Sequence, residues 1–251
     1  MIVLAAFLVA IGLGDLVSSL SGRPEGTKRA VAGIVVGAGS GFWLLAASGP
    51  LPRAMWGGAL ITVAVALWQL VRLSDVAWTP RGALPALAVL ILPLVIAIGV
   101  TDSFSEIEGL VLEIGDRLPS GAIGDRTTDQ VALVLALFTV MVSTGNAIVR
   151  LALAGIGTPV ASSETRLRGG RLIGPLERAL IFGLALAGQP TAAALVISAK
   201  GLLRFPELSD LRNQQEPAGE GGVRRIDEVT EYLLVGSLVS WVVALAPVAL
   251  V

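Results

Sequence analysis

The sequence contains no cysteine and no histidine. Their absence excludes disulfide bonds, a thiolate nucleophile, zinc or haem sites built on these residues, and an imidazole general base. Charged residues make up only 15% of the chain, and the formal net charge is −1. A nearly neutral chain without a basic tract is not expected to bind nucleic acid. Any chemistry would depend on carboxylates, Lys, Arg and hydroxyl groups; we expect no cofactor, and the sequence identifies no metal.

Hydrophobic residues make up 54% of the 251 residues, a proportion typical of multi-pass membrane proteins rather than soluble domains. We therefore predict an all-α transmembrane bundle that forms a single membrane domain over residues 1–251. The N-terminal segment lacks the positive region of a signal peptide and carries Asp15, so we interpret it as a retained first helix. About 20 apolar residues cross the hydrocarbon. Further spans are predicted near 29–48, 54–72, 83–101, 130–150 and 230–250.

Residues 172–205 form an apolar segment that is too long for one upright helix and is interrupted by Gln189-Pro190. One kinked helix would give seven crossings, and a helical hairpin would give eight. Lys and Arg concentrate in the loops that are cytoplasmic if the N-terminus lies outside, and only the hairpin returns the basic residues after Lys200 to that side. We therefore favour eight crossings of a bacterial inner membrane, with both termini outside.

Three further segments have recognisable patterns. Gly33, Gly37 and Gly41 share one helical face, which favours close helix packing within the chain over a dimer interface. An outer acidic loop at 102–129 contains an amphipathic pattern near 105–118, which predicts an interfacial helix that serves as a connector or, less favoured, a lid. The polar segment 208–226 predicts a mobile cytoplasmic loop.

Ionisable residues inside predicted spans are candidates for a functional site because burying them is costly unless they are paired or hydrated. The predicted topology gathers seven such polar residues at the cytoplasmic side as a binding or charge-pairing cluster: Asp15, Asn146, Glu177, Arg178, Lys200, Arg204 and Glu231.

Most of this cluster also has a structural explanation. Glu177 would follow Pro175 in the first turn of a helix, and Lys200 and Arg204 would end one, so helix dipoles stabilise all three charges. Asp15 lies in the C-terminal half of its helix, where the dipole disfavours a carboxylate. We therefore expect Asp15 to have a binding or charge-pairing role.

The C-terminal half also carries a spaced pattern of small, charged and aromatic residues: Gly170, Ile173, Gly174, Leu176-Glu177-Arg178, Ala199-Lys200, Arg204-Phe205, Glu231-Tyr232, Gly236 and Ser240. This pattern resembles a family of uncharacterised bacterial polytopic membrane proteins, catalogued as a domain of unknown function. The first helix of that family often carries a histidine near its acidic residue, which this chain lacks. The resemblance implies a shared charge pattern and no particular activity.

Three classes of function fit these observations. The first is a transporter or channel for an ion or small solute, in which the acidic residues of the cluster pair with its basic ones as a switchable lock or ion site. The second is a membrane-embedded enzyme or binder of a phosphorylated lipid. The third is a non-catalytic scaffold or regulatory protein. The expected partners are membrane lipids and a small ion or anionic ligand, and a homo-oligomer is compatible with the sequence.

The position of the turn predicts how the charges of the hairpin meet. Counting outward from Gln189-Pro190 places Glu177 between Lys200 and Arg204 on the opposite helix. We therefore predict an antiparallel hairpin in which Glu177 forms a salt bridge with Lys200 or Arg204.

Cysteine crosslinking tests this hairpin cleanly because the chain has no native cysteine. The double variant Glu177→Cys with Gly201→Cys is expected to crosslink in membranes. A continuous helix would instead hold these positions roughly 35 Å apart, at 1.5 Å per residue. A second cysteine pair next to the turn serves as the control. Crosslinking of the control pair without crosslinking of the first pair would contradict the hairpin.

Overall fold

A computed structural model describes residues 1–18, 26–99, 127–157, 170–213 and 234–251, with side chains omitted at 170–172 and 203–213. These ranges hold nine α-helices and no strand, which confirms the all-α prediction. The helices are α1 (Ile2–Ser18), α2 (Thr27–Ala46), α3 (Leu51–Leu73), α4 (Pro80–Gly99), α5 (Thr128–Val142), α6 (Thr144–Gly155), α7 (Gly170–Leu186), α8 (Pro190–Asn213) and α9 (Leu234–Leu250). The last turn of α9 is a 3₁₀-helix, and a 3₁₀ turn at Asp75–Trp78 precedes α4.

Helices α2, α3 and α4 are long and apolar enough to cross a membrane. Helices α5 and α6 form a bent pair, at 52°, that would count as a fourth span. The described residues therefore do not support the predicted eight crossings. The reason is length: within the described residues, α1, α9 and the apolar part of α8 each have no more than 17 residues. Such a helix reaches about 26 Å at most, short of a hydrocarbon core of about 30 Å.

Helix α1 lies at the centre of the packing and is buried along most of its length. Helix α2 approaches it through Gly33, Gly37 and Gly41, which are all buried. A Cβ atom at Gly33 would lie 2.6 Å from the Gly14 carbonyl oxygen, and one at Gly37 would lie 2.4 Å from the Ala10 carbonyl oxygen. The three glycines therefore pack two helices of the same chain, which confirms the favoured interpretation of this stripe.

The first residues of α1 and α5 lie at the same end of the bundle as the last residue of α9. The Met1 nitrogen lies 3.9 Å from Asp129 Oδ2, and Gln130 Nε2 donates a hydrogen bond to the Val251 carbonyl oxygen. Helices α1 and α5 therefore run parallel, and their other ends come together near Asp15. This layout agrees with the predicted placement of both termini on one side; which side of the membrane that is stays a prediction.

Helices α7 and α8 are separate helices that pack against each other, as the hairpin requires. The turn between them has Gly188 at a φ of 71°, and the Gln189 amide donates to the Leu184 carbonyl oxygen. Helix α8 continues to Asn213, so the first residues of the predicted loop 208–226 are helical. The rest of that loop and the predicted interfacial helix at 105–118 lie outside the described residues.

Replacing Gly37 with alanine tests the close approach of α1 and α2. The added methyl group would collide with the backbone of α1, so we expect Gly37→Ala to lower the free energy of unfolding by about 1–3 kcal/mol. The matched control is Gly39→Ala on the same helix, where a Cβ atom meets nothing within 4 Å. This control should be neutral or stabilising, by up to about 1 kcal/mol, because alanine favours helices. The midpoint of thermal unfolding in detergent is measured for both variants. Equal midpoints for Gly37→Ala and Gly39→Ala would contradict the close packing of α1 and α2.

Candidate functional site

Asp15 lies fully buried near the end of α1 and accepts hydrogen bonds from three side chains of α3. Trp68 Nε1 lies 2.9 Å from Oδ1 and 3.1 Å from Oδ2, and Gln69 Nε2 lies 2.9 Å from Oδ1. Arg72 Nη1 also donates to Oδ1 and forms a salt bridge with it. Arg72 is itself only 3% exposed, so this is a buried ion pair that neutralises both charges.

The sequence of α3 explains how these donors reach one carboxylate. Trp68 and Arg72 are four residues apart and so lie on one face of the helix, with Gln69 beside them. Gly14 and Gly33 lie against the Gln69 amide, and a Cβ at Gly33 would be 3.3 Å from Gln69 Nε2. Because glycine has no side chain, these two positions leave room for the Gln69 amide between α1 and α2.

The bend between α5 and α6 is the second feature of the site. It falls at Ser143, whose backbone angles are φ −104° and ψ −70°, and the segment Ser143-Thr144-Gly145-Asn146 is polar or small throughout. Thr144, the first residue of α6, is fully buried and lies near the Asp15 carboxylate, although its hydroxyl makes no hydrogen bond among the described residues. The positive end of the α6 dipole therefore lies next to the buried anion, an arrangement that stabilises negative charge.

Arg178 of α7 also lies against this bend and is only 2% exposed. Its Nε donates to the Met141 carbonyl oxygen at 3.2 Å, Nη1 to Ser240 Oγ at 3.3 Å, and Nη2 to Asn146 Oδ1 at 2.6 Å. A Cβ at Gly145 would lie 2.7 Å from Nε, so glycine is needed where the guanidinium passes. These three acceptors are uncharged, and the carbonyl belongs to the last turn of α5, where the helix dipole favours a cation.

The hairpin carries the third charged group. Lys200 Nζ lies 2.6 Å from Glu177 Oε2, which confirms the ion pair predicted from the position of the turn. The other oxygen, Glu177 Oε1, is buried and meets no hydrogen-bond partner among the described residues. Glu231 and the side chain of Arg204 lie outside the described residues.

The structure therefore divides the predicted cluster. Asn146 and Arg178 meet, Glu177 meets Lys200, and Asp15 is paired with Arg72 of α3. Arg72 was not among the predicted partners of Asp15, and the predicted pairing of Asp15 with Arg204 lies outside the described residues. From the sequence, Arg72 counted only as one of the basic residues that flank the predicted spans. Trp68 and Gln69 on the same helix were not considered.

The residues that sequence reasoning missed are Trp68, Gln69 and Arg72 around Asp15. One signal for them was available, because Gln69 is an amide inside an otherwise apolar span. An amide of this kind predicts a polar partner on a neighbouring helix, since its hydrogen-bonding groups must be satisfied away from water.

Comparisons of the chain with family models, with curated proteins and with solved structures found no match. The family resemblance of the C-terminal half therefore stays a prediction.

The Asp15–Arg72 pair predicts a specific pattern of stability changes. Arg72→Leu removes the guanidinium that is paired with the buried Asp15 carboxylate, so this variant should destabilise the protein by about 3–5 kcal/mol. Adding Asp15→Asn to this variant should recover part of the loss, because no buried charge then remains. Arg81→Leu, at an exposed position, is the control and should have little effect. Thermal unfolding in detergent of the wild type, Arg72→Leu, Asp15→Asn, the double variant and the control gives five midpoints; additive effects of the two substitutions would contradict a coupled pair.

Proposed function

We propose that this chain is a multi-pass membrane protein that moves a small ion or solute across a bacterial inner membrane. The proposed moving part is the bent pair α5–α6, and the proposed lock is the Asp15–Arg72 ion pair. The termini are placed outside in this proposal, and the polar ends of α1 and α3 face the cytoplasm.

One observation carries the proposal: residues at the bend in α5–α6 lie next to buried charges of opposite sign. Asp15 meets Thr144 at the start of α6, and Arg178 binds Met141 O at the end of α5. A broken helix inside a membrane leaves backbone N–H and C=O groups at the break without partners in the helix. Transporters use such helix ends to bind ions. A helix that served only as a membrane anchor would gain nothing from a polar break of this kind.

The position of Arg72 supports a lock that can open. Arg72 is the second-last residue of α3, and its long side chain could extend toward the headgroups instead of toward Asp15. Trp78 Nε1 donates a hydrogen bond to the Arg72 carbonyl oxygen, so the backbone is held while the side chain changes direction. The ion pair could therefore break without unwinding α3.

A structural role as a scaffold or regulatory protein is the second candidate, and one observation favours it. The Asp15 carboxylate already accepts hydrogen bonds from Trp68, Gln69 and Arg72, as expected for a group that only fixes α1 and α3 together. The phosphorylated-lipid enzyme has less support. Lys200 is engaged by Glu177, and the described residues contain no group of three acidic side chains that could hold a metal ion.

Reconstitution into lipid vesicles tests transport. The purified protein is expected to carry at least one of four probes, namely protons, sodium, rubidium or phosphate, faster than protein-free vesicles. Asp15→Asn should reduce that flux at least 10-fold, whereas Gly39→Ala should leave it unchanged. The unfolding midpoint of each variant is measured on the same preparation, so that loss of fold is recognised. Absence of protein-dependent flux for all four probes would overturn the transport proposal in favour of the scaffold.

A further inference from the structure

The bend between α5 and α6 is not caused by proline, because the chain from Thr128 to Gly155 contains none. Without proline, helix bends sharper than about 20° arise at Gly/Ser pairs, at π-bulges or where a side chain enters the ladder of backbone hydrogen bonds. Up to Ser143 that ladder is intact, since the Ser143 amide donates to the Thr139 carbonyl oxygen at 3.1 Å. The 52° bend therefore begins after this bond, at the last carbonyl groups of α5.

Arg178 of α7 enters the ladder at this point. In an unbroken helix the Met141 carbonyl oxygen accepts the amide of Gly145, four residues further on. Arg178 Nε donates to that oxygen, and Nη2 of the same group donates to Asn146 Oδ1 in the first turn of α6. One planar guanidinium therefore binds the last turn of α5 and the first turn of α6 in their bent arrangement. A straight helix would direct the Gly145 amide at the oxygen that Arg178 binds.

The residue at position 145 favours the bend in two ways. A Cβ atom there would lie 2.7 Å from Arg178 Nε and 3.1 Å from Cζ, so glycine admits the guanidinium and alanine would force it to move. Glycine inside a helix is also less favourable than alanine, because its backbone loses more conformational entropy on folding. Gly145 therefore both accommodates Arg178 and weakens the continuous helix that would replace the bend.

Arg178 also connects the bend to the α7–α8 hairpin. Its Nη1 donates to Ser240 Oγ of α9, so the three acceptors of the guanidinium are uncharged oxygens. The residue before it, Glu177, forms the ion pair with Lys200 of α8. Because adjacent residues of α7 make these contacts, movement of the hairpin would carry the guanidinium with it. An arginine inside a membrane span is costly and is by default a candidate functional residue.

We propose that Arg178 holds α5–α6 bent, and that the two helices join into one straight helix when its guanidinium leaves Met141 and Asn146. Together the two helices are long and apolar enough for a single membrane span. Straightening the 52° bend would move the far end of α6 by roughly 15 Å, at a rise of 1.5 Å per residue. The inference rests on the proposed function, because it names the residue that controls the proposed moving part.

The distance between two spin labels measures the bend. One label is attached to Leu84→Cys on α4 and the other to Ile156→Cys at the end of α6; both positions are exposed, and the chain has no native cysteine. The labels start close together, because a Cβ at Gly155 would lie 3.6 Å from the Ala83 Cβ. Movement of α6 away from α4 therefore lengthens the distance between the labels.

Two substitutions remove the guanidinium from the bend by different routes. Arg178→Met deletes it, whereas Gly145→Ala displaces it and keeps every hydrogen-bonding side chain. Each should add a population in which the label distance is longer by roughly 10–15 Å, at a rise of 1.5 Å per residue. Gly39→Ala is the control and should keep the wild-type distance, because its Cβ meets nothing within 4 Å.

Unfolding midpoints measured on the same samples identify variants that have lost their fold. If Arg178→Met does not fold, Gly145→Ala decides the test, because it retains the arginine. A wild-type label distance in a folded Gly145→Ala protein would overturn the inference.

Flux in lipid vesicles separates this inference from the transport proposal. Longer label distances together with protein-dependent flux that is unchanged in both variants would keep Arg178 as the residue that holds the bend, but would overturn α5–α6 as the moving part. Unchanged label distances in a protein that carries one of the four probes would overturn the role of Arg178 and leave transport standing. Longer distances in a protein that carries none of the probes would overturn transport alone.

Discussion

The constraint on which the rest of the structure depends is the neutralisation of Asp15, a carboxylate with no exposed surface. Its negative charge requires Arg72 to lie next to α1, and Arg72 can do so only if α3 packs with the face that carries Trp68 toward Asp15. The ion pair therefore fixes the rotation of α3 about its axis. It does so between residues 57 positions apart in the chain, so local structure alone cannot supply this information.

Small residues make this pairing possible by letting three helices converge. Gly14 and Gly33 bring the backbones of α1 and α2 into contact and leave space for Gln69, whose amide nitrogen completes the donors around Asp15. In a membrane, where lipid is as apolar as leucine, such contacts must come from close packing and hydrogen bonds. The glycine stripe and the ion pair are therefore parts of one arrangement: the first sets the distance between helices, and the second sets their rotation.

The sequence was sufficient for features that depend on short-range patterns. The all-α class, the approximate positions of α2 to α4, the packing role of Gly37 and the ion pair of Glu177 with Lys200 all follow from periodicity, apolar length or distance from a turn. The partner of Asp15 depends on helix rotation, which these patterns do not contain. The eight crossings are not supported for another reason: hydropathy identifies apolar segments but does not show where a helix ends, and several helices are short within the described residues.

The bend between α5 and α6 connects the two buried charges more directly than any other element described. Residues on one short stretch contact both groups: Met141 O and Asn146 bind Arg178, while Thr144 lies against Asp15. Any change in the bend therefore alters both environments at once. Conversely, a change in the charge at Asp15 changes the electrostatic attraction of the carboxylate for the first turn of α6. Loss of the carboxylate charge would weaken this attraction for α6, the same helix whose first turn contacts Arg178.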